Sequence, residues 1–101
     1  MGFTTVAQVA DIPAGKAKQV TVNGKTLAVF NSNGAFYAID NECPHRGGPL
    51  AEGELSGTEV ECPWHGARFN IGTGAHLCPP ANRDVTAYKV QVIGQEVQVD
   101  A

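Results

Sequence analysis

Two short stretches, CPHRGGPL at 43–50 and CPWHGARF at 62–69, constrain this chain more than any other feature. Each offers one cysteine and one histidine inside a Pro/Gly turn. The spacing differs: Cys43-x-His45 in the first, Cys62-x-x-His65 in the second. A lone cysteine is often a small buried hydrophobe, and a lone histidine a solvated surface group. Two soft thiols and two imidazoles within residues 43–65 are instead a full metal-site complement. The fold must bring these two turns together.

The composition around them changes sharply. Residues 41–83 hold five of the six prolines, seven of the twelve glycines, and all three cysteines and histidines. Prolines remove ladder donors and glycines weaken strands, so this stretch is expected to be a loop-built lobe rather than a regular sheet. Loops that long inside a compact domain usually serve a function.

Both flanks read as strands. Asn23-Gly24 and Asn33-Gly34, each flanked by apolar residues, are strong hairpin signals because both residue types tolerate positive φ. KQVTV, KTLAVF and AFYAID then form an antiparallel meander over 18–40. Near the end of the chain, Tyr88, Val90 and Val92 alternate with Lys89 and Gln91. A turn at Ile93-Gly94-Gln95 leads to a last strand carrying Val97 and Val99. Only TVAQVAD, residues 5–11, has a helical spacing, and it is short. The expectation is a small all-β domain over 1–101, with a base from 1–40 and 84–101 and an inserted loop-rich lobe from 41–83.

Composition narrows the partners. Seven basic against ten acidic residues give a net charge of −3, which argues against nucleic acid or an anionic membrane, since both need a basic face. No stretch approaches the ~20 apolar residues of a membrane span, and the first residues lack a signal-peptide core. MGFTTV fits a myristoylation pattern only loosely, as short motifs do by chance. A cytoplasmic location is expected. An odd cysteine count with no secretion signal favours metal ligation over a disulfide framework.

A Cys2His2 zinc site usually takes two cysteines from one motif and two histidines from another, the second pair on a helix. Here each motif supplies one of each, and HGARFNIGTG does not read as a helix. An asymmetric [2Fe–2S] cluster fits better, with two cysteines on one iron and two histidines on the other. Cys43-Pro-His45-Arg-Gly-Gly, followed by Cys62-Pro-Trp-His65-Gly, resembles the Rieske iron–sulfur motif. The strands before it, and FNIGTG, a proline-bearing loop and closing strands after it, extend the resemblance over essentially the whole chain. It implies three stacked antiparallel sheets, with one [2Fe–2S] cluster at the tip of the inserted lobe. Cys43 and Cys62 would hold the buried iron, and His45 and His65 the outer one.

The resemblance also implies a subgroup. Respiratory-type members carry two further cysteines that cross-link the cluster loops; Gly48 and Trp64 stand at those positions here. Cys78, in HLCPPA, is expected to be a packed thiol, and Pro79-Pro80 resembles the family's cluster-shielding proline loop. His76 stands alone in a Gly-rich stretch and reads as solvated, and no nucleophile or general base is evident. With no room for an oxygenase catalytic domain, the chain is similar to the ferredoxin component of bacterial ring-hydroxylating dioxygenase systems. It would be an electron carrier rather than an enzyme, with a flavin-dependent reductase and a terminal oxygenase as partners. The alternatives are a small subunit of an assimilatory nitrite reductase-like complex and a zinc-stabilised binding module.

Two further expectations concern tuning and docking. High-potential relatives have a serine and a tyrosine where this chain has Ala67 and Phe69, so the resemblance implies a low potential. Asp40, Glu42, Glu52, Glu54, Glu59 and Glu61 face a single base, Arg46, over residues 40–61. They form either a solvated loop surface or an acidic face that steers a basic partner.

Overall fold

A computed structural model of the chain describes residues 2–43, 48–64, 66–78 and 83–101. Ten strands are present among them, and every strand pairing is antiparallel. The meander forms as expected: β2 (Ala17–Val22), β3 (Lys25–Ser32) and β4 (Ala35–Asp40). Val22 pairs with Lys25 and Ser32 with Ala35, so each Asn-Gly is a two-residue turn. Asn23 and Gly24 have φ of 50° and 80°, Asn33 and Gly34 of 53° and 92°. Positive φ at both central residues gives a turn twist that matches the strands it joins.

The closing hairpin is β9 (Ala87–Ile93) and β10 (Glu96–Asp100). Ile93 faces Glu96, which leaves Gly94-Gln95 as the turn. The alternation is only partly expressed: Val97 and Val99 are fully buried, whereas Val92 and Ile93 are exposed near the hairpin tip.

Residues 5–11 correct the helical spacing. Phe3–Gln8 is a strand, β1, paired with β10 at the far end of the chain, and only Val9–Asp11 turns as a short 3-10 helix. Seven residues are too few for an isolated helix to hold in water, so the free edge of β10 decides the conformation.

The base runs in the order β1-β10-β9-β4-β3-β2. It consists of two ladders, β1/β10/β9 and β2/β3/β4, joined where Ala38 and Ile39 of β4 pair with Tyr88 and Ala87 of β9. The sheet curls until its edge strands β1 and β2 come alongside each other. Leu27, Val29, Ala38, Val97 and Val99 fill the inside with Val20, Val22 and Ile12.

The lobe enters after β4 and leaves before β9, the two strands that pair at the seam. It is not purely loop. Glu54–Ser56 (β5), Glu59–Glu61 (β6), Arg68–Asn70 (β7) and His76–Cys78 (β8) form a four-stranded sheet in that order. The expectation that prolines and glycines forbid a sheet here fails because each strand is only three residues long. Pro49 and Pro63 lie outside the four strands. Leu55, Val60 and Phe69, in register across β5, β6 and β7, turn inward. They join Ala28, Phe30 and Ile39 from the outer face of β3 and β4. LAVF in β3 is therefore continuously apolar because it is covered on both faces.

Candidate metal centre

The two motifs share the same backbone bond between their end residues. Cys43 N–H donates to Gly48 O at 2.9 Å, and Cys62 N–H donates to Ala67 O at 2.7 Å. Each cysteine thus opens a six-residue loop closed across its neck by the same backbone bond. The flanking residues pair in both cases, Glu42 with Pro49 and Glu61 with Arg68. The second loop is the tip of the β6–β7 hairpin, and Gly66, at φ +75°, donates its N–H to Cys62 O at 3.1 Å.

Cys43 and Cys62 are 1% and 2% exposed, and both belong to the core cluster that joins lobe to base. The two loops meet at the second sulfur. A Cβ built on Gly48 would fall 2.7 Å from Cys62 Sγ and 3.2 Å from the Trp64 ring. Gly48 and Trp64, the positions that carry a cross-link in respiratory relatives, are therefore adjacent here. Ala67 and Phe69 are wholly buried in the same cluster as the two cysteines, and neither side chain has a hydrogen-bond donor.

These features fit a [2Fe–2S] group at the cysteine end. Two buried cysteines each have their backbone N–H bonded to a carbonyl five residues on, and a bare glycine backbone leaves room beside one sulfur. His45 and His65 lie outside the described residues, as do Pro79 and Pro80 and the side chain of Cys78. Among the described residues, no three His, Cys, Asp or Glu side chains gather as a metal-holding group. Of the expected four ligands, only the cysteine pair falls within that description.

Sequence reasoning missed three supports of the site. Asn41, 6% exposed, accepts Ala51 N–H on Oδ1 at 2.9 Å and Leu50 N–H on its carbonyl at 2.7 Å. Its own N–H donates to Thr26 O at 3.1 Å, and its Nδ2 to Gln19 Oε1 at 3.1 Å. One buried amide therefore ties both ends of the first loop to the base. Asp40 does the same at the seam, where Oδ1 accepts the Tyr88 hydroxyl at 2.7 Å and Oδ2 accepts Thr86 N–H at 3.1 Å. An Asn or Asp directly after an apolar strand is the only sequence signal of either role.

The third support is His76. It is exposed, as expected, and also bonded: its N–H donates to Asp84 Oδ1 at 2.9 Å, and its Nδ1 shares a hydrogen bond with the same oxygen. The backbone bond from His76, then its side-chain bond, hold the Asp84 carboxyl below its usual pKa.

A sequence profile of the Rieske [2Fe–2S] domain matches residues 2–89. The chain belongs to the Rieske [2Fe–2S] family. The ferredoxin component of the naphthalene 1,2-dioxygenase system of Pseudomonas aeruginosa is 42% identical over 90 residues, covering 89% of this chain and 86% of that one. Among solved structures, the ferredoxin of carbazole 1,9a-dioxygenase from Nocardioides aromaticivorans IC177 superposes with a TM-score of 0.93. Its identity is 33%, over 98% of this Rieske chain and 97% of that one. A complex of reduced oxygenase and oxidised ferredoxin in carbazole 1,9a-dioxygenase also matches, with a TM-score of 0.89 and 34% identity. That match covers 96% of this chain and 91% of that one.

Proposed function

We propose that this chain is a one-electron carrier that holds one Rieske [2Fe–2S] cluster on Cys43, His45, Cys62 and His65. It takes electrons from a flavin-dependent reductase and passes them to a terminal oxygenase, without catalysing a reaction itself. The observation that carries this reading is the pair of buried cysteines, each bonded through its N–H to a carbonyl five residues on. The relatives named as ferredoxin components supply the electron-transfer context, and the ferredoxin–oxygenase complex supplies the kind of partner.

When bound, the cluster accepts a single electron and releases it again. The chain's own residues hold it still and dry. Cys43 and Cys62 present their sulfurs from backbone turns that cannot shift without breaking the neck bonds. Phe69, Ala67 and Leu50 exclude water from the cysteine side. Residues 1–101 act as one domain, base 1–40 and 84–101 and lobe 41–83. No helix among the described residues is long and apolar enough to cross a membrane. With the acidic net charge this favours a cytoplasmic carrier that binds neither nucleic acid nor membrane.

The test is the purified protein. It should be brown-red, contain two irons and two labile sulfides per chain, and take up one electron. Cys62→Ala and His45→Ala should each abolish the visible spectrum, because metal binding is coupled to folding of the lobe. A full spectrum in the His45 variant would overturn the ligand set. A colourless zinc protein would overturn the carrier. A loaded protein that reduces no oxygenase would favour a subunit of another redox complex.

A further inference from the structure

Trp64 is the only tryptophan of the chain, and it is 56% exposed although it follows a buried cysteine by two residues. Its covered side rests on the other loop. A Cβ at Gly48 would lie 3.2 Å from both Cγ and Cδ2 of the indole, and 2.7 Å from Cys62 Sγ. Indole, glycine backbone and sulfur therefore meet at one point. Gly48 itself is buried, and its carbonyl closes the first loop by accepting Cys43 N–H. An indole face on a bare Cα gives a large, rigid apolar contact with little entropy to lose. No side chain other than glycine's hydrogen leaves room for it.

We propose that Trp64 is a positioning residue for the cluster: seated on Gly48, it holds Gly48 against Cys62 and shields the Cys62 sulfur from water. The proposal rests on Cys62 being a ligand. The neck bonds of each loop hold that loop alone; the buried cluster of Cys43, Leu50, Cys62 and Ala67 joins the two from inside, and Trp64 on Gly48 joins them at the surface. Removing the indole leaves both turns intact but lets them separate at the sulfur. Water reaching a thiolate sulfur donates hydrogen bonds to it, and hydrogen bonds and solvent exposure at the sulfurs set the potential.

Trp64→Ala and Gly48→Ala test this in the loaded protein. Supporting contacts around a metal ligand are typically worth 10–100-fold in metal affinity, so a chelator should strip iron from Trp64→Ala at least about tenfold faster than from wild type. Its potential should rise, and Trp64→Phe should recover part of both effects. A merely structural role in the fold would not move the potential. In Gly48→Ala the new methyl lifts the indole, so the single tryptophan's emission should shift to longer wavelength. That reading needs no cluster and decides the matter if a variant does not load. Unchanged emission in Gly48→Ala, or wild-type stripping rate and potential in Trp64→Ala, would overturn the proposal. If wild type itself never assembles a cluster, the carrier reading fails instead, and the two failures are distinguishable.

Discussion

Ala67 and Phe69 sit against the cysteine end of the centre with no solvent exposure and no donor to offer. Reduction adds negative charge to the cluster, so a side chain that cannot donate leaves the reduced state less stabilised. Rieske centres span roughly −150 to +300 mV, and this one is expected near the low end. A hydrogen bond to a charged group contributes about 1.5–3 kcal/mol, and for one electron ~1.4 kcal/mol corresponds to ~59 mV. Only the difference between redox states counts. Ala67→Ser and Phe69→Tyr should therefore each raise the potential by several tens of millivolts, up to ~100 mV, read by voltammetry. A wild-type value well above zero, or no upward shift in the double variant, would overturn the tuning argument. Serine adds one oxygen where Ala67 is fully buried, so a small loss of stability should accompany its gain in potential.

At the scale of the elements, the seam between β4 and β9 governs how the lobe is held. Burial of the Tyr88 ring, then its hydrogen bond to Asp40, pushes the Tyr88 hydroxyl from 10.0 up to about 12. The folded chain thus keeps a proton that the unfolded chain gives up. The stability linked to Tyr88 is complete below pH 10 and declines as pH rises from 10 through about 12. Asp40→Asn should lower this titration, measured by tyrosinate absorbance in a Tyr37→Phe background, since the chain has two tyrosines. A titration that does not move would show that Asp40 is not the partner. Gly74 marks the other end of the lobe. At φ +79° it donates its N–H to Asn70 O at 2.8 Å and accepts Val85 N–H at 2.9 Å, and an added Cβ would overlap the Val85 carbonyl. Left-handed backbone costs a non-glycine residue about 1–2 kcal/mol, and overpacking about 1–3 more. Gly74→Ala should thus lower stability by about 2–5 kcal/mol in urea unfolding; a loss below about 1 kcal/mol would refute the close approach. The same elements explain what was legible in the sequence. Both Asn-Gly hairpins could be read because the turn chemistry is local. Four candidate ligands could be nominated because type and spacing are local too, and the structure describes only the two cysteines among them. β1 could not be read, since its partner β10 lies at the far end of the chain and its own spacing mimics a helix turn. β5 to β8 were hidden because three residues are too few to show a period of two. Asp40 and Asn41 act through partners distant in sequence, Tyr88 and Gln19, and His76 through Asp84, which lies outside its own motif.

The whole molecule is elongated, 38 × 27 × 17 Å, and carries a net charge of −3. Of its six acidic groups at 40–61, Asp40 is committed to the seam and Glu61 to Arg68, at 3.2 Å. Glu42, Glu52, Glu54 and Glu59 are exposed. The lobe sheet sorts them by face. Leu55, Val60 and Phe69 point inward, so Glu54, Glu61 and Arg68 align on the outer face, beside Ser56, Glu59 and Asn70. Glu54 stands directly across from Glu61, an arrangement of like charges that is locally unfavourable in a sheet. The pair of Glu61 with Arg68 offsets part of that cost; on the reading in which these carboxylates steer, the exposed ones give a field that draws a basic partner toward the lobe. Electron transfer from a basic reductase should then slow by about tenfold as salt shortens the screening length from ~10 Å at 0.1 M toward ~3 Å at 1 M. Glu54→Gln with Glu59→Gln should flatten that dependence while leaving the Glu61–Arg68 pair and the visible spectrum intact. Stopped-flow reduction at several ionic strengths separates the two readings of these carboxylates. A wild-type rate that stays flat across the range, or a double variant with the wild-type slope, would make them a solvated surface and nothing more.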